Sequence, residues 1–195
     1  MKRLITIIIL LIVFTGSIKA QDRAHEISVS VGAGTIYDFL ELYSDVFATV
    51  FTLGYYQETN QTNSPAIGVS YKYYLTKRFS LGGDFTYQSM TADAVTGGNP
   101  AGTIDKAYYS LAARADFNYI AKPVFKLYSG IGLGYCQYNQ KYSPIDGGSQ
   151  DTSDAGLLAV QLNAIGLKFG GKLGGFLELG YGYRGVVNVG LFAAF

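Results

Sequence analysis

Beyond residue 20, this chain of 195 residues never strings together enough apolar residues to cross a bilayer as a helix. Yet apolar side chains recur at every second position through most of its length. A helical span needs about 20 consecutive apolar residues, whereas period two is the geometry of a strand whose faces meet different surroundings. Tyr109, Leu111, Ala113, Ala115, Phe117 and Tyr119 alternate with Ser110, Ala112, Arg114, Asp116 and Asn118 in the clearest case. Ile27, Val29 and Val31 likewise oppose Glu26, Ser28 and Ser30, and Ile67, Val69, Tyr71 and Tyr73 oppose Ser70, Lys72 and Tyr74. Phe79, Leu81, Phe85 and Tyr87 oppose Ser80, Asp84, Thr86 and Gln88. Later, Phe125, Leu127, Ile131, Leu133 and Tyr135 oppose Lys126, Tyr128, Gly130, Gly132 and Gly134. Leu177, Leu179 and Tyr181 oppose Glu178, Gly180 and Gly182, and Val187, Val189, Leu191, Ala193 and Phe195 oppose Asn188 and Gly190.

One segment breaks phase. Leu158, Val160 and Leu162 share a parity that Ile165, Leu167 and Phe169 do not. A one-residue slip moves every side chain to the other face, so a β-bulge near Asn163 is expected to reconcile the halves.

The connections sort into two kinds. Thr76-Lys77-Arg78, Ala121-Lys122-Pro123 and Gly170-Gly171-Lys172 read as tight turns, with Thr35–Ser64, Thr91–Asp105 and Gln137–Ala155 between them as longer, polar or irregular loops. Only the last connection on the long side, around Tyr183-Arg184-Gly185, is short. Short turns at one end and long loops at the other are the habit of membrane barrels, with the turns periplasmic and the loops outside. The composition agrees: 17 Tyr, 12 Phe and 25 Gly, with only 15% of residues charged. Aromatics gather at the strand ends. Tyr73, Phe79, Phe117, Tyr119, Phe125, Phe169 and Phe195 lie at the periplasmic end and Tyr87, Tyr109, Tyr135 and Tyr181 at the outer end, as interface girdles require. The expected fold is all-β, an eight-stranded antiparallel up-and-down transmembrane β-barrel with a short helix in its first outer loop.

The amino terminus is expected to be a secretory signal over residues 1–20. Lys2 and Arg3 precede an apolar run from Leu4 to Phe14, and small and polar residues lead to cleavage after Ala20. The barrel domain then occupies residues 21–195, close to neutral in charge. With no basic excess, a nucleic-acid partner is not expected.

The stretch from Tyr71 through Tyr73-Tyr74-Leu75-Thr76-Lys77-Arg78-Phe79 to Asp84, and the closing stretch from Gly174 to Phe195, resemble the bacterial outer-membrane β-barrel family of small porin-like proteins. The resemblance implies the cell outer membrane as location and outer-membrane lipid as surroundings, and no particular activity. It also implies barrel-assembly machinery as a partner during biogenesis, with Val187, Val189, Leu191 and Phe195 as the assembly signal. Ala193 is smaller than the aromatic common at its position.

An eight-stranded barrel has an interior just wide enough to be filled by side chains. Glu26, Asp84, Asp116 and Glu178 with Lys72, Arg114, Lys126 and Lys168 therefore form an expected lumen network, since unpaired charges there cost several kcal/mol by order of magnitude. A narrow porin-like channel is the alternative, helped by the missing bulk of Gly130, Gly132 and Gly134. A secreted lipocalin-like barrel is a third reading, and it demands the inverse pattern, apolar inside and polar outside.

No enzyme is expected. His25 is the only histidine and reads as a solvated strand end, so a Ser-His-acid constellation near the outer face cannot be built on it. One His and one Cys give no metal spacing, no cofactor is implied, and Cys136 reads as a small packed thiol. Ile36, Phe39, Leu40, Tyr43, Val46, Phe47, Val50 and Phe51 recur at helical spacing in the first outer loop. Phe39, Leu40, Tyr43 and Phe47 form its expected contact face, for a lid over the lumen, for the barrel rim, or for an unknown partner.

Overall fold

The computed structural model describes residues 24–39, 57–145 and 147–195. The expected signal and the positions Leu40, Tyr43 and Phe47 lie outside the described residues. Among the described residues nine strands run in order: β1 His25–Ala33, β2 Gln57–Asn63, β3 Ala66–Tyr74, β4 Phe79–Thr96, β5 Asn99–Ala121, β6 Phe125–Pro144, β7 Asp151–Gly170, β8 Leu173–Gly182 and β9 Val187–Ala194. All pairings are antiparallel. Eight of the strands close a ring, because β1 pairs with both β3 and β9 and β4 pairs with both β3 and β5. The ninth, β2, adds only to the far end of β4. The fold is the expected eight-stranded up-and-down barrel.

Period two produces this wall directly. Along β1 and β3 burial alternates without a break, Glu26, Ser28 and Ser30 or Ser70 and Lys72 buried while the Val, Ile and Tyr between them are exposed. The buried face is the polar one. Leu111, Leu133, Leu158 and Leu191 are between 60% and 69% exposed, whereas Lys72, Asp84, Arg114 and Glu178 are each 4% or less. A secreted ligand-binding barrel needs the opposite, and that reading is overturned. On β5 the exposed apolar stretch runs from Tyr109 to Tyr119. The ten steps between them, at roughly 3.3 Å each and tilted by about 40°, give a belt close to 25 Å tall. No helix among the described residues is long and apolar enough to cross a membrane.

The phase break in β7 is a bulge. Gly166 faces Tyr128 and Asn163 faces Gly130, so two residues, Ala164 and Ile165, stand opposite Ser129 alone. Both point outward, and Ser129 Oγ donates to the Ala164 carbonyl at 2.5 Å. Leu162 and Ile165 can then share the outer face.

Two of the expected long loops are largely strand. β4 and β5 continue through Thr91–Asp105 to a two-residue turn at Gly97-Gly98, and β6 and β7 continue through most of Gln137–Ala155. Gly97 and Gly98 have φ of +58° and +84°, the primed hairpin turn that follows the twist of its strands. The polarity that suggested a loop reflects strands leaving the apolar belt. Thr91, Asp93 and Asp105 occupy the outward parity that Phe85 and Leu111 hold lower down. The barrel is therefore lopsided, with β4 to β7 standing well above β1, β3, β8 and β9. We call the end with the start of β1, Phe195 and the three tight turns the turn end, and the other the loop end.

Candidate functional site

The lumen is packed with charges that meet across it. Arg114 on β5 is the hub: its guanidinium binds Asp116 at 2.7 Å, lies 3.7 Å from Asp84, and pairs with Glu178 on β8. Lys72 on β3 takes the other oxygen of Asp116 at 2.7 Å. Glu178 also accepts from Tyr128 Oη at 2.6 Å and Asn188 Nδ2 at 3.0 Å. Closer to the turn end, Lys168 Nζ lies 2.5 Å from Glu26, whose second oxygen accepts from Tyr74 Oη at 2.9 Å.

The sequence reading missed one member. Arg184, on the short connection between β8 and β9, turns inward instead of out to solvent. It lies 3.1 Å from Glu178 and 3.6 Å from Asp84, and is 2% exposed. Its neighbour Tyr183 is fully buried and donates to Asp84 at 2.8 Å. Tyr183-Arg184 looks like an ordinary polar turn, but Gly182 and Gly185, with φ of +146° and +100°, bend it back into the barrel. Lys126 is half-buried at the turn-end mouth near Lys168, with its ammonium 3.8 Å from the centre of the Tyr74 ring. The deeply buried set is thus Glu26, Asp84, Asp116 and Glu178 against Lys72, Arg114, Lys168 and Arg184.

The glycines that suggested an open path leave no space. A Cβ at Gly130 would meet the Asp116 carboxylate, one at Gly132 would lie 2.6 Å from Tyr183 Oη, and one at Gly134 would lie 2.7 Å from the Ala112 side chain. Glycine on one strand is what admits a large side chain from another. A cavity at the turn-end mouth, bordered by Lys126, Lys168 and Phe192, has a volume of about 20 Å³, room for about one water.

Above the charges sits a cap. After β1 the chain turns at Gly34 into a short helix, residues 36–39, opened by a reciprocal capping box. The Thr35 amide donates to Asp38 Oδ2 at 2.6 Å, and the Asp38 amide to Thr35 Oγ1 at 3.3 Å. The same pair ties the helix to the wall. Thr35 Oγ1 lies 2.6 Å from Gln88 Oε1, and Gln88 Nε2 donates to Asp38 Oδ1 at 2.9 Å.

Tyr37 then drops into the lumen. It is 1% exposed, shares a hydrogen bond of 2.7 Å with Ser110, and stacks on Tyr108 with centroids 4.5 Å apart and planes 12° from parallel. Burial, with the Cys136 thiol beside it, pushes its phenol up from the ordinary value, so it stays protonated and able to donate. Cys136 and Met90 are buried in the same cluster. Phe39 faces the other way and meets Tyr181 at the rim, 5.7 Å between centroids. Of the expected contact face only Phe39 is among the described residues, and it touches the rim; Tyr37, which that face omitted, enters the lumen.

At the turn end His25 is not simply solvated. Its Nδ1 is 2.7 Å from Tyr71 Oη and its ring stacks on Phe195, 5.8 Å and 15° apart. Val187, Val189 and Leu191 are exposed on the outer face of β9, in register with Ala33, Val31 and Val29 of β1. No group of three or more metal-ligating side chains occurs among the described residues.

No protein-family profile and no curated protein matches the sequence. Among solved structures the chain is similar to Ail, the attachment invasion locus protein of Yersinia pestis, at 18% identity over 88% of this chain and 95% of that one, with a TM-score of 0.46. That structure is in complex with the heparin analogue sucrose octasulfate. A second structure of Ail matches at 16% identity over the same shares, with a TM-score of 0.45.

Proposed function

We propose that this chain is a non-enzymatic integral protein of the bacterial outer membrane, a filled barrel that acts through what it presents at the loop end. One observation carries the reading: charges and hydrogen bonds inside, and outside a belt of exposed apolar side chains bounded by aromatic pairs such as Tyr87–Tyr109 and Phe125–Phe169. In water such a belt drives aggregation, while in lipid it is the favourable surface. The signal over residues 1–20 then serves export, and the outward row Val187, Val189, Leu191 and Phe195 serves recognition by the assembly machinery.

The closed lumen argues for a strut. Arg184, Tyr183 and Tyr128 cross it, and Tyr37 caps it. The taller strands β4 to β7 lift polar surface beyond the belt, where an external partner can reach it. Mature protein refolded into a planar bilayer is expected to show heat-modifiable migration on a gel and no steady current above the bilayer baseline. A reproducible single-channel conductance would replace the strut with a narrow porin-like channel. Recovery of the native protein in the soluble periplasm or the medium would refute the membrane assignment altogether.

A further inference from the structure

The tight turns carry a charge pattern that the lumen network does not use. Lys77 and Arg78 lie on the β3–β4 turn, Lys122 on the β5–β6 turn and Lys172 on the β7–β8 turn, all exposed. No acid occupies any of the three turns, and none of the four bases has an ion pair among the described residues. At the loop end the balance reverses. Asp38, Asp93, Asp105, Asp151 and Asp154 lie there against Lys106 and Lys141.

The backbones of the turns are fixed. The Arg78 carbonyl accepts from the Asn118 amide at 2.7 Å, the Lys122 amide donates to Phe125 at 2.9 Å, and the Lys172 carbonyl accepts from the Ala194 amide at 2.7 Å. Each base also sits at the margin of the apolar belt: Arg78 beside Phe79, Lys122 two residues before Val124 at 65% exposure, Lys172 beside Leu173 at 74%.

From this placement we infer that the turn end binds anionic lipid headgroups of the leaflet it faces, with Lys77, Arg78, Lys122 and Lys172 as an arc of phosphate-binding cations. The inference rests on the membrane reading above. A soluble anion would need the bases gathered in one patch. These are spread over three of the four turn-end positions of the ring, each next to a side chain of the belt, which is where a shell of separate lipids stands. Charge complementarity specifies an anionic headgroup over a zwitterionic one, and a basic residue near such a surface contributes about 1 kcal/mol, roughly a fivefold preference.

The test uses the mature protein reconstituted in phosphatidylcholine doped with phosphatidylglycerol. Spin-labelled versions of the two lipids report which is motionally restricted at the barrel. Phosphatidylglycerol is expected to be preferred about fivefold or more, with the preference falling as salt is raised. It is expected to disappear when Lys77→Gln, Arg78→Gln, Lys122→Gln and Lys172→Gln are combined, and to survive Lys141→Gln at the loop end. Equal restriction of both lipids around an inserted wild-type barrel would overturn the inference while leaving the membrane assignment standing. So would a preference indifferent to salt or retained in the combined variant. Failure to insert at all, read by heat-modifiable migration, would overturn both.

Discussion

Arg114 has no neutral substitute in this lumen. Asp116, Glu178 and Asp84 all face it, and Lys72 and Arg184 alone cannot take up the carboxylate oxygens it serves. Breaking a buried pair by removing one partner leaves an uncompensated charge, which costs about 3–5 kcal/mol. Arg114→Gln is therefore expected to lower the unfolding free energy in vesicles by about that much, measured by urea titration of the heat-modifiable form. At Gly130 the limit is steric. The Asp116 carboxylate occupies the space a Cβ would take, so Gly130→Ala is expected to displace Asp116 and weaken the same hub. Its loss should be non-additive with Arg114→Gln, and simple additivity in the same titration would refute the shared mechanism.

At the scale of elements, the cap and the bulge each make one strand end serve a second purpose. Tyr37 packs in one cluster with Cys136, which is 0% exposed and faces Ser110 on the neighbouring strand. If the helix at 36–39 is what seals the loop end, Tyr37→Ala should make Cys136 react with a water-soluble maleimide at least tenfold faster than in the wild type. Thr35→Ala removes the cap hydroxyl at a cost of about 1 kcal/mol and should give a smaller acceleration. Unchanged labelling in both variants would show that the thiol is shielded by something else. In β7 the bulge at Ala164 and Ile165 keeps Leu158 and Leu167 on one face. Deleting Ala164 leaves Ile165 alone opposite Ser129 with both halves in phase, so that protein is expected to keep its heat-modifiable band, whereas inserting one alanine between Leu167 and Lys168 turns Lys168 out toward the belt and is expected to abolish it.

For the whole molecule, the sequence was most legible where the cause is local. Eight barrel strands, their outward faces and the three tight turns all follow from period two and from turn chemistry, and all stand in the structure. The tall strands were hidden because the reading equated polarity with loop. Above the belt a strand has polar residues outward, so hydropathy no longer marks it, although the Gly-Gly pair between Thr96 and Asn99 was a usable hairpin signal. The ninth strand, β2, escaped for a similar reason: Gln57–Asn63 is polar throughout and is held by its pairing with β4 and by the bond from Asn63 to Asp38.

By itself the sequence determined which face of each strand is apolar and that acids and bases both face inward, because side-chain parity is a property of the local backbone. Which charge meets which was decided only on closure of the ring. Lys168 finds Glu26 across 142 residues of chain, and Arg184 reaches Glu178 because a glycine-bent turn folds into the barrel. Such pairings depend on the stagger of the strands and on which glycines yield space to large side chains, and neither is written in any one segment. The space suggested by Gly130 and Gly132 was filled in the same way, by Asp116 from the neighbouring strand and Tyr183 from the β8–β9 turn.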